Sequence, residues 1–189
     1  MSGLSFIGSD IGGFIDSPDG ELYTRWLQMA VFHPFCRTHS SGDHGDQEPW
    51  SFGEPYTSIA REAIELRMQL LPYIYTTFWQ HHKIGTPMLR SLVALSPDDP
   101  ETHHREEEFG LGDQLLICPV SQPGVDGRWV YLPGGEWVDF WEDLAHDGSN
   151  EVWVRTPPNQ IPVFVRTGSV LMLGPKQQYV GELATAPLT

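Results

Sequence analysis

The sequence predicts an α/β segment followed by an all-β domain, and three patterns predict it. Residues 1–85 alternate short strand signals with two helical ones. Residues 86–174 break into short extended runs between Gly- and Pro-containing turns, whereas 175–189 carry neither pattern and read as a tail or linker. Of the 189 residues, 40% are hydrophobic, enough to pack a core in one ordinary domain or two small ones. No internal repeat or low-complexity stretch is present.

Each element follows from local chemistry. LSFIGSD (4–10) reads as a strand that ends in a glycine-rich loop, GSDIGGF (8–14). SPDGELYTRWLQMAVFH (17–33) then reads as a helix: Ser17 is the expected N-cap, Pro18 lies in the first turn, and Leu22, Trp26, Met29 or Ala30, and His33 keep helical spacing. Pro34 stops it. PFCRTHSS (34–41) reads as a second strand running into a polar loop that ends at QEPWSFGEP (47–55). The longest helical signal starts near Pro55 or Tyr56, where Ile59, Ala63, Leu66, Leu70, Tyr73 and Thr77 or Phe78 step along one stripe expected to be buried. Pro72 removes one backbone hydrogen bond inside this helix, and Gly85 ends it. Beyond Gly85, runs such as QLLICPV, RWVYLPGG, EWVDFW and VWVRT alternate between turns and predict a β-sandwich.

Charge limits the partners. The 25 acidic and 11 basic residues give a formal charge of −14, both segments are acidic, and no basic run interrupts them. An electrostatic hold on nucleic acid or an anionic membrane is therefore not expected, and a neutral or cationic ligand fits better. No apolar run approaches the roughly 20 residues that span a bilayer, and the first residues lack a signal-peptide pattern. The chain is expected to be soluble, with its compartment open. Cys36 and Cys118 are too few and too far apart for a disulfide scaffold or metal knuckle and read as buried free thiols.

Strand, helix, strand, helix makes two βα units, which pack as parallel strands under crossover helices. Parallel strands need cover on both faces, so two such units make no complete fold. A (β/α)8 barrel takes about 250 residues and carries its site on the loops that follow its strands. Residues 1–85 suit the last quarter of one. Asp10 and His39 then stand at the carboxyl ends of neighbouring strands, facing one pocket.

GSDIGGF, ELYTRWLQMAVFHPFCRTH, EPW, LLPYIYT, FGLGDQLLICPV, VYLPGGEWVDFW and IPVFVRTGS occur in this order. Together they resemble the C-terminal part of α-glucosidases of glycoside hydrolase family 31, over residues 2–173. The resemblance implies the last two βα units of a (β/α)8 catalytic barrel in residues 1–85, a β-sandwich in 86–174, and a larger enzyme of which this chain is a fragment. It implies that the glycine-rich motif follows the seventh barrel strand and that Arg37-Thr38-His39 ends the eighth. Asp10 and His39 are then expected to line the subsite of the sugar being cleaved, with His39 donating to a hydroxyl, Phe14 walling the pocket and Arg37 holding the site together. The family's two catalytic aspartates lie in stretches upstream of GSDIGGF that do not occur here, so no catalytic residue is assigned. One departure is Gly110, where relatives carry a larger apolar residue.

The implied activity is that of a retaining α-glycosidase, most simply an α-glucosidase releasing terminal glucose from α-linked oligosaccharides. The implied partners are that substrate and the rest of the enzyme, with no metal or organic cofactor, nucleic acid or membrane. An α-xylosidase or transglycosylase of the same family, a non-catalytic carbohydrate-binding β-sandwich, and an assembly subunit completed by another chain stay open as alternatives. HSSGDHGDQE (39–48) offers His39, Asp43, His44, Asp46 and Glu48, but its spacing matches no metal loop and it reads as a solvated acidic loop. Trp129, Trp137, Trp141 and Trp153 are weighed as a sugar-stacking platform and read as core, and Glu106-Glu107-Glu108 as a solvated face.

Overall fold

Two short parallel strands, β1 (Asp10–Ile11) and β2 (Arg37–Thr38), open the fold in the computed structural model, which describes residues 4–42 and 45–183. Both strands are shorter than the runs LSFIGSD and PFCRTHSS predict. The chains still run side by side upstream, where the Phe35 N–H donates to the Ile7 carbonyl. Among the described residues this pair has no further parallel neighbour, and no closed barrel is present.

Helix α1 (Gly20–Ala30) connects the two strands. Its N-cap is Asp19, not Ser17: Asp19 sits in extended conformation directly before the first helical residue, and its Oδ1 accepts from the Leu22 N–H at 2.8 Å. Ser17 instead accepts from the Gly45 N–H and ties down the later loop. Helix α2 (Tyr56–Ile84) starts and stops where the sequence indicates, with Gly85 left-handed at φ 74° as its C-terminal cap. Ile59, Ala63, Leu70, Tyr73 and Thr77 form its buried stripe, whereas Phe78 lies on the exposed side. Arg67 of α2 donates to the carbonyls of Val31, His33 and Pro34, satisfying groups left open at the end of α1 and joining the two helices.

The second part holds β3 (Leu89–Ser91), α3 (Leu92–Leu95), a 3-10 turn at Pro100–His104, β4 (Phe109–Leu111), β5 (Leu115–Ile117), β6 (Gly127–Leu132), β7 (Glu136–Asp139), β8 (Ala145–Asp147), β9 (Asn150–Arg155) and β10 (Val163–Arg166). Six of these strands form an antiparallel sheet in the order β3-β4-β5-β10-β7-β8, and β6 pairs with β9 in a separate ribbon. Strand alternation gives the sheet two apolar faces. Leu115, Ile117 and Val163 pack into a core shared with Leu70, Tyr73 and Ile74 of α2. Leu116, Phe164 and Trp137 join a second core with Val130 and Leu132 of the ribbon. One face thus meets the helices and the other meets the ribbon.

Specific hydrogen bonds lock the helical part to the sheet. The buried Arg25 guanidinium donates to the carbonyls of Thr156, Pro157 and Gln160, and Gln28 donates to that of Pro158. The Tyr73 hydroxyl donates to the Leu111 carbonyl at 2.6 Å, and burial pushes its pKa up to about 12. After β10 the chain runs back along α2. Gly174, just before the segment read as a tail, donates to the Gln69 carbonyl, and Lys176 within that segment pairs with Glu65.

Two expectations are corrected. Only Trp137 of the four tryptophans is fully buried; Trp141 is partly buried, with its indole N–H on the Ile161 carbonyl, whereas Trp129 and Trp153 are 58% and 55% exposed. Both sit on the outward parity of a ribbon that turns Val130 and Leu132 inward. Glu108 is buried rather than solvated, because Arg128 reaches its Oε1 at 2.6 Å; burial raises its carboxyl pKa and Arg128 opposes the rise. At Gly110, the Leu95 side chain fills the space of the missing side chain. Cys36 and Cys118 are free, as expected, the first partly and the second fully buried.

Candidate functional site

Parallel pairing sets Asp10 opposite Arg37 and Ile11 opposite Thr38. Ile11 is buried beneath them, and Asp10 stays accessible at the mouth of the strand pair. The Arg37 Nε donates to Asp10 Oδ1 at 2.8 Å, with the two side chains 46% and 23% exposed. An ion pair this open contributes at most about 1 kcal/mol to stability. Its consequence is geometric: the carboxylate is held in one place while keeping acceptor capacity for a ligand.

Both strands pass into loops at their carboxyl ends, and the loops meet. The Gly13 N–H closes a turn on the Asp10 carbonyl at 3.0 Å. Gly12 in that turn has φ 84°, and the space beside it is filled by Gln47, Pro18 and Tyr23, so the position has room only for glycine. The turn delivers Phe14 to His39, with ring centroids 5.5 Å apart, and the Ser41 N–H on the Phe14 carbonyl fastens one loop to the other. The four residues singled out in the sequence thus fall into two adjoining pairs, Asp10 with Arg37 and Phe14 with His39. Phe14 and His39 are exposed.

Sequence reasoning misses the layer beneath. The Trp26 indole N–H donates to Ser9 Oγ at 2.8 Å, fixing the residue before Asp10. Tyr23 stacks on Phe52 with centroids 4.8 Å apart, and Gln47 lies buried against the turn. The signal for Trp26 was its indole N–H, which needs a partner when covered; helical spacing alone made it a packing residue. Glu48 lies in the loop beyond, where it accepts from the Ser51 hydroxyl. Asp43 and His44 lie outside the described residues. Among the described residues no three His, Cys, Asp or Glu side chains are grouped to hold a metal ion, and no helix is long and apolar enough to cross a membrane.

An anchored carboxylate, an imidazole that both donates and accepts, and an aromatic wall make a surface suited to a polyhydroxylated ligand. Comparison with known proteins gives the family. Residues 1–77 match the glycosyl hydrolases family 31 TIM-barrel domain, and residues 85–171 match the glycosyl hydrolase family 31 C-terminal domain. The chain belongs to glycoside hydrolase family 31. It is 39% identical to alpha-glucosidase 2 of Bacillus thermoamyloliquefaciens over 92% of this chain and 22% of that protein. Against neutral alpha-glucosidase AB of Mus musculus it is 43% identical, over 90% of this chain and 18% of the relative. The chain therefore spans about a fifth of the length of these curated relatives.

Solved structures agree. A family 31 dextranase of Flavobacterium johnsoniae complexed with isomaltotriose superposes with a TM-score of 0.87 at 39% identity, covering 94% of this chain and 22% of that one. A family 31 alpha-xylosidase from a soil metagenome complexed with xylose gives 0.83 at 30% identity, over 89% and 29%.

Proposed function

We propose that this chain forms part of the sugar pocket of a retaining α-glycosidase, most simply an α-glucosidase, and that its second part is a β-sandwich buttressing the catalytic barrel. Residues 1–85 supply the last two βα units of that barrel. The observation that carries this reading is the convergence of Asp10, Arg37, Phe14 and His39 at the carboxyl ends of paired parallel strands, where barrel enzymes keep their sites. The α-glucosidases among the relatives support the substrate class; the alpha-xylosidase and the dextranase set the range of alternatives.

The roles follow from the geometry. Asp10, held by Arg37, accepts hydrogen bonds from ring hydroxyls; His39 donates to a neighbouring hydroxyl; Phe14 offers an apolar wall to the ring's C–H face. Hydrolysis with retention requires two carboxyl groups about 5 Å apart, one attacking the anomeric carbon and one protonating the leaving oxygen. Asp10, held by Arg37, is read as a ligand-binding carboxylate, Glu48 accepts from Ser51 in the loop beyond, and the family's two catalytic-aspartate stretches do not occur in residues 1–189, so both catalytic carboxyl groups are assigned to the rest of the enzyme. The exposed apolar cluster of Leu4, Phe6, Ile7, Phe35 and Phe78 supports this division. Phe6 packs within 6.3 Å of Phe35 and 5.8 Å of Phe78, a surface fit to be covered by further barrel.

In the complete enzyme, His39→Ala should lower kcat/KM on a maltose-type substrate by about tenfold to a hundredfold, the worth of one or two hydrogen bonds, with the melting temperature nearly unchanged. Unaltered kinetics would remove His39 from the site. Comparing kcat/KM for 4-nitrophenyl α-glucoside and α-xyloside separates the glucosidase from the xylosidase reading.

A further inference from the structure

Trp129 and Trp153 face each other across the β6–β9 ribbon and are more than half exposed, on the side of the ribbon opposite its core contacts. Their rings lie 5.6 Å apart at 67°, so one indole stands nearly upright against the other. The cradle has a built floor. Gly127 lies diagonally across from Trp153, and a side chain there would come within 2.7 Å of the Trp153 ring, so the glycine leaves the space that the indole occupies. Each tryptophan also borders a hollow. Trp129 lines one of about 500 Å3 with Arg105, Glu107, Arg128 and Glu151, and Trp153 lines one of about 350 Å3 with Glu142, His146 and Arg155.

We infer that this aromatic cradle is a second, non-catalytic carbohydrate site that holds an α-glucan chain away from the Asp10–His39 pocket. The choice of ligand rests on the glycosidase reading; the existence of a site rests on the ribbon. Exposed aromatic side chains bury about 150–250 Å2 each when fully covered, so two half-exposed indoles offer roughly 200–300 Å2. A stable protein interface needs about 800 Å2 per partner, which this patch does not reach. A sugar ring needs an apolar face of that smaller size flanked by donors and acceptors, and both hollows supply them. Arg105 bridges Glu101 and Glu151, and Arg128 bridges Glu107 and Glu108, so the charged groups flanking Trp129 are already ordered and lose little freedom on binding.

The test is calorimetric titration of the full-length protein with maltoheptaose and isomaltoheptaose in an Asp10→Ala/His39→Ala background, which disables the first pocket. Binding should persist there and weaken about tenfold or more on Trp129→Ala or Trp153→Ala, whereas Trp153→Phe, which keeps an aromatic face and guards against misfolding of the alanine variants, should retain most of it. Absence of binding by both oligosaccharides in that background, or affinity indifferent to both tryptophans, overturns the inference. Sugar-free self-association abolished by Trp153→Ala also overturns it, assigning the face to a second copy. Normal kinetics for His39→Ala would sink the pocket and leave this titration standing, so the two readings fail separately.

Discussion

The Arg37 guanidinium holds Asp10 through one hydrogen bond of 2.8 Å from an exposed position. Its removal should change stability by less than about 1 kcal/mol. If its role is to aim the Asp10 carboxylate at a sugar hydroxyl, Arg37→Ala should nevertheless lower kcat/KM in the complete enzyme by about tenfold. Arg37→Lys keeps the charge but not the planar Nε donor, and should recover only part of that loss. Equal losses in melting temperature and kcat/KM would mark Arg37 as structural. His33 makes a second residue-scale prediction. Burial, with Arg67 nearby, lowers its pKa to about 4, and its Nδ1 is buried without a hydrogen-bond partner. The folded state therefore favours the neutral ring, while the unfolded chain takes up a proton near pH 6.5. Stability should be full above that pH and fall as pH drops from about 6.5 towards 4. Thermal melts across this window should show a smaller drop for His33→Gln than for the wild type.

At the scale of elements, α2 ties the two parts together. Leu70 is fully buried in the core shared by α2 and the sheet, so Leu70→Ala should cost about 2–5 kcal/mol by leaving a cavity. A melting temperature unchanged by this substitution would show that the stripe is not the packing face. This helix was also the most legible element, because its period, Pro55–Tyr56 start and Gly85 stop are local signals that agree. The start of α1 is ambiguous in the sequence because Ser17 and Asp19 are both good caps and only the backbone turn decides which lies next to the first helical residue. The strands of the site are shorter than their apolar runs because a strand extends only as far as its neighbour does. In the ribbon, the sequence shows alternation but not its phase, and a shift of one residue decides whether Trp129 and Trp153 face the core or the solvent. Glu108 shows the same limit: three glutamates in a row look solvated until Arg128, twenty residues away, covers one. The proposed pocket was legible in its rim, Asp10, Phe14, Arg37 and His39, because glycine-rich turns and strand ends are local. Its floor of Trp26, Ser9 and Gln47 was not, because those contacts form only when α1 and the later loop fold beneath it.

At the scale of the molecule, the helical part and the sheet are joined by a shared core and by Arg25, whose guanidinium spans three carbonyls in the segment after β9. Arg25→Ala should cost at least about 1.5–3 kcal/mol, the worth of one charged hydrogen bond, and leave buried carbonyls unsatisfied. Unfolding monitored by near- and far-ultraviolet circular dichroism should then lose its coincidence if this joint couples the parts. The central claim is that residues 1–189 contribute sugar binding while the catalytic carboxyl groups lie elsewhere in the enzyme. Purified residues 1–189, assayed on 4-nitrophenyl α-glucoside, test it most directly: the account predicts no hydrolysis above the uncatalysed rate, and hydrolysis that is abolished by Asp10→Asn would contradict it by making Asp10 a catalytic carboxylate.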